Sequence, residues 1–251
     1  MFESIKGKKV LITGASSGIG AETAKLFASY GAHVGIHYNR NEENAIKLQK
    51  DIEDTGGSAD VLAGDLLEES TRSDLIQSFI DAFGSIDVLI NNAGGVIGNM
   101  PFLELDEMSW RDTMALNATA PFFLSRDAFL FMKDNGGGRI INISSISAKY
   151  GGSMNTMHYG AAKAALETLT KGFAKAGAPH NILVNCIRGG VIDTPLHSRI
   201  ERNSPAMEKR ISLIPLKRMG KPVDIARLAL FLASEAGDFI TGEVFTVAGG
   251  D

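Results

Sequence analysis

Tyr159 and Lys163 stand four residues apart in a stretch, 159–177, whose spacing of apolar residues predicts a helix, so they share one face about a turn apart. A free tyrosine titrates near ~10 and is a poor base at neutral pH. A neighbouring ammonium favours the phenolate, which suits the pair to exchanging a proton with an alcohol or carbonyl oxygen. Alone, Tyr-x-x-x-Lys is common on ordinary helix surfaces. A second feature gives it context. Thr13-Gly14-Ala15-Ser16-Ser17-Gly18-Ile19-Gly20 follows the first apolar run and opens an amphipathic segment. Glycines there allow a tight turn and let backbone N–H groups approach a pyrophosphate; the bland alternative is a βα turn with no ligand. No G-x-x-x-x-G-K-[ST] is present, which argues against a nucleoside-triphosphate P-loop. His33, His37, His158, His180 and His197 lack metal-ligand spacing, so no metal is expected. They read as surface or packing residues, with His158 able to line a pocket beside Tyr159.

Seven short apolar runs supply the frame: Val10–Ile12, Ala32–His37, Val61–Ala63, Val88–Ile90, Ile140–Ile143, Ile182–Ile187 and Val244–Val247. Continuous rather than alternating apolar runs suit parallel strands covered on both faces. Amphipathic segments near 19–30, 42–54, 69–83, 107–133, 159–177 and 223–233 alternate with them, which predicts right-handed βαβ crossovers. The long irregular stretch at about 189–221 lies beyond a strand's C-terminal end, where open α/β sheets bind ligands, and is expected to form a lid. The 251 residues, 44% apolar and 22% charged, fit one domain spanning 1–251 rather than a disordered chain. With 25 Lys plus Arg against 29 Asp plus Glu, the net charge is −4, and no nucleic-acid partner is expected. A single cysteine, Cys186, excludes an intrachain disulfide framework. No run approaches the ~20 apolar residues of a membrane span, and the first residues lack a signal-peptide core, so a cytoplasmic protein is expected.

Three motifs together carry a resemblance that covers essentially the whole chain. Thr-Gly-x-x-x-Gly-x-Gly at 13–20, Asn91-Asn92-Ala93-Gly94 after the fourth strand, and Tyr159-x-x-x-Lys163 resemble the short-chain dehydrogenase/reductase family, including its 3-oxoacyl reductase branch. The resemblance implies a doubly wound Rossmann-type domain with a seven-stranded parallel sheet flanked by helices. It implies hydride transfer between a nicotinamide cofactor and a carbonyl or alcohol, with Asn117, Ser145, Tyr159 and Lys163 as the catalytic set. Ser145 aligns best with the family's serine, with Ser144 as the fallback and Ser147 as a supporting polar group. Asn117 would anchor a water on Lys163, which would also hold the cofactor ribose. Gly14, Gly18, Ile19 and Gly20 would cradle the pyrophosphate, while Ser16 and Ser17 could hydrogen-bond a ribose 2′-phosphate. Asn92, Ala93 and Gly94 would pass under the ribose, while Asn91 pins neighbouring strands. Asp65, beside Leu66, would meet the adenine, cap the following helix, or both. The backbone of Ile192, with Thr194, would hold the carboxamide. Homo-oligomers, tetramer or dimer, built on the long helices are implied as well.

The residues also bear on which cofactor is taken. Eighteen residues past Gly20 stands Tyr38, followed by Asn39 and Arg40, with no acid until Glu42. NAD selectivity rests on an acid there to accept from the ribose diol. Its absence, with Arg40 able to fork onto a 2′-phosphate and Asn39 nearby, predicts NADP(H) over NAD(H); the alternative is a solvated Arg40. After the sixth strand Gly189 stands where the family usually has proline. Arg188 is either a clamp for an anionic substrate or one half of a structural ion pair. Gly95, Val96, Met100, Tyr150, Met154, Met157 and Leu196, with the region of Met207, make a mostly apolar candidate pocket for a small-molecule carbonyl. Gly136 and His180 stand where carrier-protein-docking arginines would be expected, which weakens a carrier-bound substrate. Besides a reductase, a catalytically silent nucleotide sensor or scaffold, a 3-oxoacyl-thioester reductase and an NAD-dependent alcohol dehydrogenase stay open. A methyltransferase has no use for the Tyr–Lys pair.

Overall fold

A computed structural model describes residues 2–195 and 204–251. Its centre is β1 (Lys9–Ile12), where Val10 and Ile12 face one side and Leu11 the other, all three fully buried. That is why the run is apolar without alternation: side chains alternate across a strand and both faces here are covered. The sheet has seven strands, all parallel, in the order β3-β2-β1-β4-β5-β6-β7. The others are β2 (His33–Tyr38), β3 (Ser58–Ala63), β4 (Val88–Asn91), β5 (Gly138–Ser145), β6 (Ile182–Gly189) and β7 (Val244–Val247). The strand order reverses between β1 and β4, so their C-terminal ends open a crevice.

The helices are α1 (Gly18–Ser29), α2 (Glu42–Asp54), α3 (Glu69–Phe83), α4 (Glu107–Met114), α5 (Ala120–Asp134), α6 (Ser147–Tyr150), α7 (Met157–Gly177), α8 (Pro205–Leu213) and α9 (Pro222–Ala233). Phe27 of α1, Leu48 and Ile52 of α2 and Ile225 and Leu230 of α9 pack against one face of the sheet. Phe79 of α3, Leu124 and Met132 of α5 and Ala174 of α7 pack against the other.

Three features differ from the sequence reading. The segment expected as one helix over 107–133 is divided by a π-helical turn, Ala115–Thr119, that contains Asn117. The edge strand β3 begins three residues early, at Ser58, because its outer face carries exposed Asp60. The supposedly irregular stretch after β6 contains α8, started by Ser204, whose side chain accepts from the Met207 N–H, and by Pro205 in the first turn. Met207, Val191 and Ile214 form a small separate core beneath it, so Met207 is a packing residue rather than an open pocket wall. Leu196 lies outside the described residues. Among the described residues no helix is long and apolar enough to cross a membrane.

Candidate active site

The glycine turn leaves β1 at Thr13 and enters α1 at Gly18. Gly14 has φ +62°, and a Cβ on it would fall 2.9 Å from the Ala93 Cα. A Cβ on Gly20 would meet the Asn92 side chain at 2.6 Å and the Gly14 carbonyl at 2.7 Å. Both glycines are therefore required by the crossing of this turn with the segment after β4. The N–H groups of Gly18, Ile19 and Gly20 make no hydrogen bond among the described residues, and the Ser16 and Ser17 hydroxyls are likewise unengaged. Unsatisfied N–H groups at the start of a 12-residue helix form a site for an anion such as a pyrophosphate. Thr194 stands against Gly18, 3.3 Å from where its Cβ would be, and is nearly buried. The chain holds this segment through the Ile192–Gly220 bridge and the bond from the Asp193 N–H to the Gly220 carbonyl at 2.8 Å.

Asn92 does not keep its side chain for a ribose. Its Nδ2 donates to the carbonyls of Thr13 at 2.8 Å and Gly14 at 3.1 Å, fastening the glycine turn to β4. Thr13, overlooked in the sequence, completes that fastening: its Oγ1 accepts from the N–H groups of Asn92 and Ala93, both at 3.0 Å. Asn91 bridges Ser125 and Asn142 at 2.9 Å each and so pins β4 to β5 and α5, as expected. Asp65 Oδ1 accepts from the Leu67 N–H at 2.9 Å, closing a local turn, but the cap of α3 is Glu68. Leu66 is buried in the core beside Leu75 and Phe79, and its carbonyl accepts from Arg72 at 2.8 Å. Only its N–H is left to meet a ligand. Asn39 and Arg40 are exposed at the end of β2, and Arg40 makes no ion pair among the described residues. The Tyr38 hydroxyl donates to Glu42 at 3.0 Å, so an acid lies nearer this strand end than its place in the sequence suggests.

At the far side of the crevice Lys163 is buried, and its Nζ donates to the Ile143 carbonyl at 2.8 Å while standing 5.8 Å from the centre of the Tyr159 ring. Tyr159 keeps part of its surface open while its hydroxyl is enclosed and faces Ser145. Ser145 Oγ also accepts from the Ser147 backbone N–H at 3.2 Å. Ser144, adjacent on the strand, points to the opposite face, where it donates to Glu167 at 2.8 Å. Ser145 is thus the serine beside Tyr159, and Ser144 is not an alternative. A Cβ on Gly94 would fall 2.6 Å from Asn117 Oδ1 and 2.9 Å from Lys163 Nζ, so these groups converge on one glycine. The π turn lets Asn117 fold back: its Nδ2 donates to the carbonyls of Gly95 at 2.8 Å and Thr113 at 2.9 Å, and its Oδ1 accepts from the Gly95 N–H at 3.1 Å. Its amide is largely committed to the loop after β4, so the water-anchoring task is left to the remaining lone pair of Oδ1.

Two of the protein's own features act on the Tyr159 phenol, its burial and Ser145. Burial pushes the phenol up to about 12, opposed by the Ser145 hydrogen bond. Burial also lowers Lys163 to about 8. Desolvation penalises the charged form of each group and is the largest influence on both. Arg188 is not free for a substrate. Its Nε and Nη2 fork onto Glu167 at 2.8 and 2.6 Å, and Nη1 donates to Thr246 at 3.1 Å. His158, buried, bonds through Nε2 to the Ile97 carbonyl at 2.8 Å and so braces the loop after β4. His37 is not a bland packing residue either: its Nδ1 accepts from the Gly14 N–H at 3.2 Å.

A family model described as enoyl-(acyl carrier protein) reductase matches residues 14–251. The chain belongs to the short-chain dehydrogenase/reductase family. It is 36% identical over 247 residues to a 3-oxoacyl-[acyl-carrier-protein] reductase of Chlamydia pneumoniae, covering 98% of each chain. It is 36% identical over 247 residues to an L-rhamnose 1-dehydrogenase (NAD(P)(+)) of Azotobacter vinelandii, covering 97% of this chain and 96% of that one. The fold matches a 7α-hydroxysteroid dehydrogenase complexed with NADH and 7-oxo glycochenodeoxycholic acid at TM-score 0.91 and 36% identity, covering 98% and 94% of the two chains. The protein is accordingly an oxidoreductase of the carbonyl–alcohol type.

Proposed function

We propose that this short-chain dehydrogenase/reductase is an NADP(H)-dependent enzyme that reduces a ketone or aldehyde, with Tyr159 as proton donor and Ser145, Lys163 and Asn117 as its partners. The observation that carries this is the enclosed Tyr159 hydroxyl facing Ser145, with Lys163 and Asn117 converging on Gly94 across the crevice from an anion-ready glycine turn. Gly14, Gly18, Ile19 and Gly20 would hold the pyrophosphate, and Ser16, Ser17 and Asn39 would add hydrogen bonds to a 2′-phosphate. Ala93 and Gly94 would lie under the ribose, Asp65 and the Leu66 N–H at the adenine, and Ile192 with Thr194 at the carboxamide. When bound, the reduced nicotinamide supplies the hydride.

The chain's own residues supply orientation and the proton. A phenol near 12 is almost wholly protonated at neutral pH, which suits donation to a carbonyl oxygen. Ser145 would donate its single hydroxyl proton to that oxygen and hold it beside the phenol. Lys163, near 8, carries its charge at neutral pH and stabilises that phenolate. Oxidation of the corresponding alcohol would begin from the phenolate, which the positive charge of an oxidised nicotinamide would favour, so the same residues serve both directions. Arg40, exposed and without an ion pair among the described residues, supports 2′-phosphate recognition. Glu42, held by Tyr38, is the group that opposes it.

The substrate is a small carbonyl compound, taken free rather than on a carrier protein, given Gly136 and His180 at the expected docking positions. Exposed Met108, Trp110, Phe122 and Leu130 on α4 and α5 support a homo-oligomer formed through these helices. A buried lone Cys186 fits a cytoplasmic setting. Absorbance at 340 nm with NADPH and NADH over a ketone panel tests the proposal. NADPH should be consumed, and much faster than NADH. A chain that binds nucleotide but consumes neither is a sensor.

A further inference from the structure

His37 is the penultimate residue of the second strand, with its ring fully inside the protein between the glycine turn and the end of β3. Nδ1 accepts from the Gly14 N–H at 3.2 Å, and the His37 carbonyl accepts from the Ala15 N–H at 2.8 Å. Two consecutive donors of the turn are thereby committed to one residue. An N–H directed at Nδ1 requires a lone pair there, so the neutral ring carries its proton on Nε2. That Nε2 has no well-formed partner, although it lies 3.6 Å from where a Cβ on Gly64 would be. Burial, against the pull of Asp65, drops the ring to about 4 and keeps it neutral at physiological pH.

We infer that His37 is a positioning residue for dinucleotide binding: its Nδ1 fixes the Gly14 peptide and so aims the N–H groups of Gly18, Ile19 and Gly20 into the crevice. This rests on the proposal that a dinucleotide occupies that crevice. Gly14 is where the backbone turns left-handed, at φ +62° against Ala93, so its peptide sets the direction of everything that follows. Without an acceptor the half-buried Gly14 N–H would rotate to find one, and the turn would lose its fixed aim.

The test is a series at one position. His37→Asn puts an amide oxygen where Nδ1 stands; His37→Gln places its amide at the Nε2 end; His37→Leu has no acceptor. NADPH dissociation constants from fluorescence titration should rise about tenfold or more for His37→Leu and His37→Gln, the cost of one orphaned half-buried N–H, and about threefold or less for His37→Asn. Equal affinities across the series, or an Asn variant as weak as Leu, would overturn the inference. Heteronuclear NMR on the wild type needs no variant to fold. It should find the proton on Nε2 and the Gly14 amide protected from exchange without nucleotide; a proton on Nδ1 would also overturn it. A wild type that binds no dinucleotide would remove the proposed function itself, a distinguishable result.

Discussion

Breaking the Arg188–Glu167 pair should weaken the platform beneath Tyr159 and Lys163. Glu167 lies one turn beyond Lys163 on α7, and Arg188 lies on β6, so the pair clamps the catalytic helix to the sheet. The side chains are 20% and 12% exposed, so water reaches only their rim. In Arg188→Ala the Glu167 carboxylate keeps only the Ser144 hydroxyl of its three donors. Breaking a fully buried pair typically costs ~3–5 kcal/mol, and rim hydration lowers the expectation here to ~2–4 kcal/mol. For a chain of this size that is a fall in Tm of roughly 5–12 °C. The double variant Arg188→Met/Glu167→Leu removes both charges, and Ser144 can still donate to the Lys163 carbonyl, now 3.4 Å away. It should melt within ~1 kcal/mol of wild type. Differential scanning calorimetry on wild type, Arg188→Met, Glu167→Leu and the double variant gives the coupling. Strictly additive single losses would refute the clamp. So would unchanged stability with selective loss of anionic ketones, which would make Arg188 a substrate contact after all.

Other outcomes follow from the same geometry. Reduction rates should decline as pH rises through about 8, because Lys163 loses its charge there; a profile flat to pH 10 would contradict that assignment. Arg40→Ala should raise the NADPH dissociation constant by about tenfold and leave NADH within about twofold, as for a lost charge-assisted contact; equal losses would end the 2′-phosphate argument. Gly94→Ala brings a methyl within 2.6 Å of Asn117 Oδ1 and 2.9 Å of Lys163 Nζ, and should cut kcat by about a hundredfold or more, while calorimetry still finds a folded protein. A fully active Gly94→Ala would mean those groups need not converge.

Much of the fold was legible because the central strands are buried on both faces: Val10-Leu11-Ile12 cannot be anything but apolar when three neighbours divide between two cores. β3 and α8 were less legible. The first is an edge strand whose exposed Asp60 interrupts the apolar run, and the second buries only Met207. The chemistry of the site was legible where a residue type has one plausible use at its spacing, as with Tyr159 and Lys163. Partners brought from far along the chain were not. Nothing near Arg188 announces Glu167, and Asn92 turns back onto Thr13, 79 residues earlier in the sequence. The depth of burial around Tyr159 is equally hidden, since the spacing places a charge near the phenol but does not reveal the desolvation that raises it.

The central claim concerns one proton, and Tyr159→Phe isolates it. Removing only the hydroxyl leaves the ring, Lys163 and the glycine turn in place. Titrated with NADPH and then mixed with a ketone that the wild type reduces, the variant should bind nucleotide within about threefold of wild type and lose kcat by at least ~10²–10⁴. Turnover close to wild type with binding intact would show that the proton comes from elsewhere.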